Sequence, residues 1–230
     1  MTLISKPLRS IRSFVRREGN ITPGQERALK ELWPLYGIEP GDTPFDFVAV
    51  FGRDAPVILE IGFGNGEALA AEAEVHPENN YLGIEVHRPG AGILLRRIES
   101  LGLKNVRVLL ADAQDILSAR IPEASLAGVR LFFPDPWPKK RHNKRRLVQP
   151  EFAGLIVRQL RAGGYFHLAT DWPDYADHMV AVLSATPELI DVSGQTPFTD
   201  MVAARAQTRF ERRGLDQGNP IRDLVYQRRP

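Results

Sequence analysis

The residues best suited to chemistry in this chain are carboxylates set at or just beyond short apolar runs. Glu60 stands before Gly62-Phe63-Gly64-Asn65-Gly66, Glu85 closes Gly83-Ile84-Glu85, and Asp112, Asp135 and Asp171 each follow an apolar stretch. A dinucleotide pyrophosphate asks for G-x-G-x-x-G at the mouth of a helix. Here the third glycine comes two residues after the second, and Glu67 holds the position three after Gly64. Glu60 adds further negative charge. Such a site suits a ligand that is itself cationic. S-adenosylmethionine carries an ammonium, a sulfonium and a ribose diol, and no phosphate. Glu60 can hold its amino-acid end, directly or through water. Glu85 can accept from both ribose hydroxyls, and Asp112 can take the adenine amine. Gly62, Gly64 and Gly66 let the backbone turn and approach closely. The competing reading of any one of these acids is a helix cap or a loop solubiliser.

A second stretch, Leu131 to Leu147, reads LFFPDPWPKKRHNKRRL. It starts as a buried strand and passes into a loop stiffened by proline. Asp135 lies between two of the prolines, Trp137 follows, and six of the eight residues from Lys139 to Arg146 are Lys or Arg. A fixed carboxylate beside an indole and a block of cations suits a flat polar ring attached to an anion, such as a nucleobase on its phosphate backbone. A solvated basic face is the plainer reading of the cations, and a core position beneath the loop is the plainer reading of Trp137.

The elements that must position these residues alternate. Strands are expected at 56–61, 81–86, 106–110, 128–133 and 165–169, with late antiparallel edge strands at 189–192 and 224–228. Helices are expected from Thr22 to about Trp33, where Pro34 stops the first, and at 66–75, 89–101, 150–160 and 175–183. Gly163-Gly164 end the helix before the fifth strand, and 37–54 read as irregular. This alternation implies an α/β fold with a mostly parallel sheet and helices on both faces. Ligands in such sheets bind at the carboxyl ends of the strands. All five acids gather on that rim.

With 230 residues the chain is one domain with additions: a basic arm and helix over 1–40 and a single domain over 41–230. Net charge is only +2, yet the cations are segregated. Residues 1–17 carry Lys6, Arg9, Arg12, Arg16 and Arg17 without an acid, and more arginines follow Arg205. Such clusters on a nearly neutral chain point to a polyanionic partner. The arm also has the Arg- and Ser-rich character of a transit peptide. There are no cysteines, which excludes disulfides and thiolate metal sites, and the five histidines show no metal-ligand spacing. No apolar run approaches the roughly 20 residues of a membrane helix.

The chain resembles the bacterial tRNA (guanine-N7-)-methyltransferases, which are class I S-adenosylmethionine enzymes. The resemblance is carried by Ser13-Phe-Val-Arg-Arg17 with Thr22-Pro-Gly-Gln25, Leu59 to Gly66, Gly83-Ile-Glu-Val86, Phe133 to Arg146, Ala169-Thr-Asp171 and Thr208-Arg-Phe-Glu211. PDPWPKKRHNKRR is highly specific, whereas the glycine loop is shared by many methyltransferases. The likeness implies a Rossmann-like class I methyltransferase fold with a seven-stranded, mostly parallel sheet and an antiparallel C-terminal strand. It implies S-adenosylmethionine as methyl donor, with Glu60, Glu85, Asp112 and Asp135 in its pocket. It implies that Lys139, Asp171, Thr208, Arg209, Phe210 and Glu211 meet the tRNA substrate. Arg141, His142, Asn143, Lys144, Arg145 and Arg146 would lie on RNA, together with Arg16 and Arg17 of the arm. Two positions depart from the family pattern: Asn20 stands where a basic residue is usual, and Arg209 where Lys is usual. The implied target is a variable-loop guanine, in a cytoplasmic protein without metal or membrane partner, monomeric or weakly dimeric.

Guanine N7 has a lone pair and no proton, so methyl transfer needs no base. Asp135 is expected to stabilise the purine as it becomes cationic, and Asp171 to accept from the guanine N1 and N2 donors. Thr208 and Glu211 serve the same edge or the amino-acid end of the donor. Methylation of another RNA or of protein, a non-catalytic RNA-binding subunit, and a nucleotide-dependent dehydrogenase are the alternatives.

Overall fold

The computed structural model describes residues 20–230. Arg16, Arg17 and the rest of the basic run before Asn20 lie outside the described residues.

Eight strands form one sheet: β1 (Gly37–Ile38), β2 (Val57–Ile61), β3 (Asn80–Glu85), β4 (Val106–Leu110), β5 (Leu126–Phe132), β6 (Leu160–Thr170), β7 (Leu189–Asp191) and β8 (Arg222–Arg228), in the order β1-β4-β3-β2-β5-β6-β8-β7. All neighbouring pairs are parallel except those of β8, which runs antiparallel to β6 on one side and β7 on the other. The expected seven-stranded arrangement is therefore present. The eighth strand is two-residue β1, which lies in the stretch read as irregular and borrows the free edge of β4. Only β7 ends as an edge strand at the far side, because β8 inserts between it and β6.

Strand alternation sorts side chains onto two faces. Leu59, Leu82, Leu109, Val129 and Phe166 pack into one core with α6 (Ala113–Ala119), α7 (Pro150–Gln159) and α8 (Pro173–Ser184). Ile58, Tyr81, Val106 and Val108 pack into the other with α1 (Pro23–Glu31), α4 (Glu67–Val75) and α5 (Arg88–Leu101). The second face changes character across the sheet. Glu60, Arg130 and His167 lie side by side in register on β2, β5 and β6, and all three are buried.

Several local expectations are corrected. Pro34 does not stop the first helix. That helix ends at Glu31, and Pro34 sits in the first turn of α2 (Trp33–Tyr36), where a missing N–H leaves no bond unmade. Within 37–54 lies α3 (Phe47–Phe51), capped by Asp46, whose carboxylate accepts from the Ala49 N–H at 3.1 Å. Gly163-Gly164 are inside β6, because α7 passes directly into that strand at Leu160. Gly163 takes φ +73° where the β5–β6 register slips, so it serves a bulge. Three further short helices had no counterpart in the sequence reading: α6, α9 (Phe198–Ala204) and α10 (Arg209–Asp216).

Candidate active site

The carboxyl ends of β4, β3, β2, β5 and β6 lie along one edge of the sheet, which places Asp112, Glu85, the glycine loop, Asp135 and Asp171 there in that order. The loop from Gly62 to Gly66 leaves β2 with all three glycines at positive φ. A side chain added at Gly62 would meet nothing within 4 Å, and one at Gly64 would meet only the Phe210 ring, at 3.9 Å. These two glycines leave an open cradle. Gly66 differs: a Cβ there would strike Leu94 at 2.6 Å, so this glycine lets α5 pack against the loop.

Glu85 holds that cradle in shape. One oxygen accepts the Gly64 N–H at 2.9 Å, and the other accepts the Val86 and His87 N–H groups at 2.7 and 3.1 Å. Asp112 ends the next strand and is also the N-cap of α6, accepting from Gln114 N–H at 3.0 Å. The capping role weighed for the acids in the sequence is thus real for Asp112.

Glu60 is buried, and its Oε2 receives no hydrogen bond among the described residues. Burial pushes its pKa up to about 7, against the pull of Arg130 and Arg205. Arg130 pairs with Glu72 of α4 through one terminal nitrogen, at 2.9 Å inside the protein, while its Nε and other terminal nitrogen have no hydrogen-bond partner among the described residues. Its guanidinium also lies 5.8 Å from the centre of the Tyr81 ring. Beyond Arg130, His167 bonds Asp223 at 2.8 Å, and burial holds its pKa below the ordinary value. Asp223 is itself partly buried, which raises its pKa, but His167 and Arg205 outweigh burial and hold the carboxyl below the usual range.

Arg205 is the hub of the far half. It donates to both oxygens of Glu211, at 2.6 and 3.0 Å, and to both oxygens of Asp223, at 3.2 and 3.3 Å, while lying 5.0 Å from the Phe132 ring centre. Thr208 and Glu211 form a reciprocal capping box at the start of α10. Glu211 therefore faces both Thr208 and Arg205, whereas Arg209 and Phe210 are exposed. Phe210 is 59% exposed although it borders the glycine loop. Arg212 bonds Glu67 at 2.7 Å, and that bond lowers the Glu67 pKa. Gly214 brings α10 onto Asp171, whose Oδ2 lies 3.0 Å from where a Cβ would be. α10 thus spans from the glycine loop to the end of β6.

The loop after β5 holds Asp135 on its exposed side. Phe133 and Trp137, on either side of it, take φ +51° and +47°. Left-handed backbone at a bulky residue is strained and is found where surrounding contacts enforce it. The Trp137 ring carries Arg145 at 4.9 Å and meets the edge of His142 at 5.9 Å. Lys139 precedes a short 3-10 helix, Lys140–Arg145, and Lys139, Arg141, Lys144 and Arg145 are exposed. His142 and Asn143 are half-buried. Partial burial and the surrounding cations, Arg141 and Arg145 first among them, hold the His142 pKa down. Arg146 corrects the reading of the run as one RNA-facing surface. It is 2% exposed, turned inward to the carbonyl of Pro136 and the carboxylate of Asp174.

Sequence reading missed Glu72, Arg130, His167, Arg205 and Asp223. Arg130 and His167 had a visible signal, as polar residues at inward positions of apolar runs. The pattern Thr208-x-x-Glu211 is equally a capping-box signature.

A family model described as "Putative methyltransferase" matches residues 54–224. A tRNA (guanine-N(7)-)-methyltransferase of Alkalilimnicola ehrlichii is 57% identical over 223 residues, covering 96% of this chain and 94% of the relative. One from Klebsiella pneumoniae subsp. pneumoniae is 51% identical over 223 residues, covering 97% and 93%. Among solved structures, the 16S rRNA methyltransferase KamB superposes with a TM-score of 0.58 at 18% identity, covering 81% of this chain and 95% of that one. That likeness concerns the fold.

Proposed function

The chain belongs to the tRNA (guanine-N(7)-)-methyltransferase family, and from that premise we infer that it transfers a methyl group to N7 of a guanine in tRNA. We propose S-adenosylmethionine as the donor. The observation that carries this choice is the buried Glu60 oxygen that lacks a donor beneath the glycine cradle. An ammonium within reach would supply the missing hydrogen bond and favour the ionised carboxylate. Glu60, Gly62, Gly64, Glu85, Asp112 and Asp135 would hold the donor, with Gly66 setting the loop against α5. Glu85 and Asp112 each serve the backbone already, so their share is shape as well as contact. When bound, the donor supplies a methyl group on a sulfonium, open to in-line displacement.

The chain's own residues then have two tasks. They align the guanine with the methyl group, and they place negative charge where the purine becomes cationic. Asp135 takes the second task, and Asp171 accepts from the guanine N1 and N2 donors. Thr208 and Glu211 act by fixing α10, which presents Arg209 and Phe210 to the substrate. Lys139, Arg141, His142, Asn143, Lys144 and Arg145 contact the tRNA, aided by Arg16 and Arg17 of the arm in 1–40. The target is a variable-loop guanine; where its N7 is engaged in the tertiary fold of the tRNA, the base turns out to reach the site. The domain is 41–230, and the protein works in the cytoplasm as a monomer or weak dimer. Among the described residues no helix is long and apolar enough to cross a membrane.

Incubation of the protein with unmodified tRNA and labelled S-adenosylmethionine tests this, followed by aniline scission at the modified base. Label at one variable-loop guanine is expected. Label confined to another RNA would sink the substrate assignment.

A further inference from the structure

Arg146 belongs by sequence to a run of cations and by structure to the interior. Its Nε donates to the Pro136 carbonyl at 2.9 Å, a terminal nitrogen donates to the Asp174 carboxylate, and the guanidinium lies 4.9 Å from the Tyr175 ring centre. What it grips is a segment poorly able to hold itself. Between Phe133 and Pro138, residues 134, 136 and 138 are prolines, which have no N–H to donate. The segment is pinned at its start, where the Phe133 N–H donates to the Ala169 carbonyl at 2.8 Å, and again at Pro136 by Arg146. Asp135 lies between these two pins. The other end of the same guanidinium reaches Asp174 in the first turn of α8, just past Asp171.

We propose that Arg146 is a positioning residue for methyl transfer, fixing the gap between Asp135 and Asp171 and not touching tRNA. This rests on the roles given above to those two acids. Lysine cannot replace it, because a point ammonium lacks the planar fork that serves a carbonyl and a carboxylate while lying on a ring.

The test compares Arg146→Lys, Asp174→Asn and the unaltered protein on tRNA with S-adenosylmethionine. Single-turnover methylation, tRNA affinity and the salt dependence of that affinity are measured. Arg146→Lys should lower the methylation rate by about a hundredfold, the size of effect that small misplacements of reacting groups produce. Its tRNA affinity and salt slope should stay unchanged. Asp174→Asn changes a side chain that is 69% exposed, so the fold survives, and it should lower the rate in the same direction by less. Weaker tRNA binding by Arg146→Lys at an unchanged methylation rate would mark a contact with the RNA and overturn the proposal. So would an unchanged rate in both variants. An unaltered protein that leaves tRNA guanine unmethylated would instead overturn the functional reading beneath it.

Discussion

Both carboxylate oxygens of Glu211 are held by Arg205, at 2.6 and 3.0 Å, inside the protein. The pair leaves only 9% of the Glu211 side chain exposed. Glu211→Ala leaves the buried guanidinium with Asp223 as its remaining carboxylate partner, and breaking a buried pair costs about 3 kcal/mol. Urea unfolding should show that loss in the midpoint with an unchanged slope. A variant as stable as the parent would return Glu211 to the substrate- or donor-contacting role first read for it.

Glu60 makes stability depend on pH in a definite direction. Its folded pKa is about 7 against an ordinary 4.5, so between those values the folded protein keeps a proton that the unfolded chain has lost. Stability falls as pH rises through this window and is lower by about 3 kcal/mol above it than below it. Glu60→Gln should remove this fall, read as the difference between the two proteins' urea curves from pH 5 to 8. Parallel curves would refute the assignment. Calorimetry in buffers of different ionisation enthalpy adds a second reading: near pH 6, S-adenosylmethionine should release a proton from the parent and not from the variant.

The role proposed for Asp135 is to act on charge that develops during the reaction. Asp135→Ala should lower the methylation rate by about 10²- to 10³-fold, the range found when one preorganised electrostatic group is removed. The tRNA dissociation constant should hardly move. A loss of affinity at a normal rate contradicts the catalytic role.

The cations of Lys140, Arg141, Lys144 and Arg145 are exposed, in contrast to Arg146. Changing all four to glutamine should weaken tRNA binding and flatten its log–log salt dependence by up to about four, near one per phosphate contacted. Binding of S-adenosylmethionine should be unaltered. A salt slope that stays the same places the tRNA elsewhere.

The sheet was readable because its strands are continuous apolar runs, and the rim because acids punctuate them. Asp112 shows the limit of that reading: a strand-end acid and a helix cap look alike when the following helix is as short as α6. Arg146 shows a second limit. Nothing in a string of Lys and Arg says which one turns inward, since that is decided by Pro136 and by Asp174 on a distant helix. α9 and α10 escaped because they are short, and α10 is also polar and takes its place through Arg205, Glu67 and Asp171, all outside it.

Because β8 slots between β6 and β7, the order of assembly is constrained. β7 emerges first yet has no berth beside β6, and must wait unpaired or join β8 as a hairpin before docking. The same late arrival delivers Asp223 to His167 and Arg205. The strand that completes the electrostatic underside of the candidate site is therefore the last element the ribosome delivers.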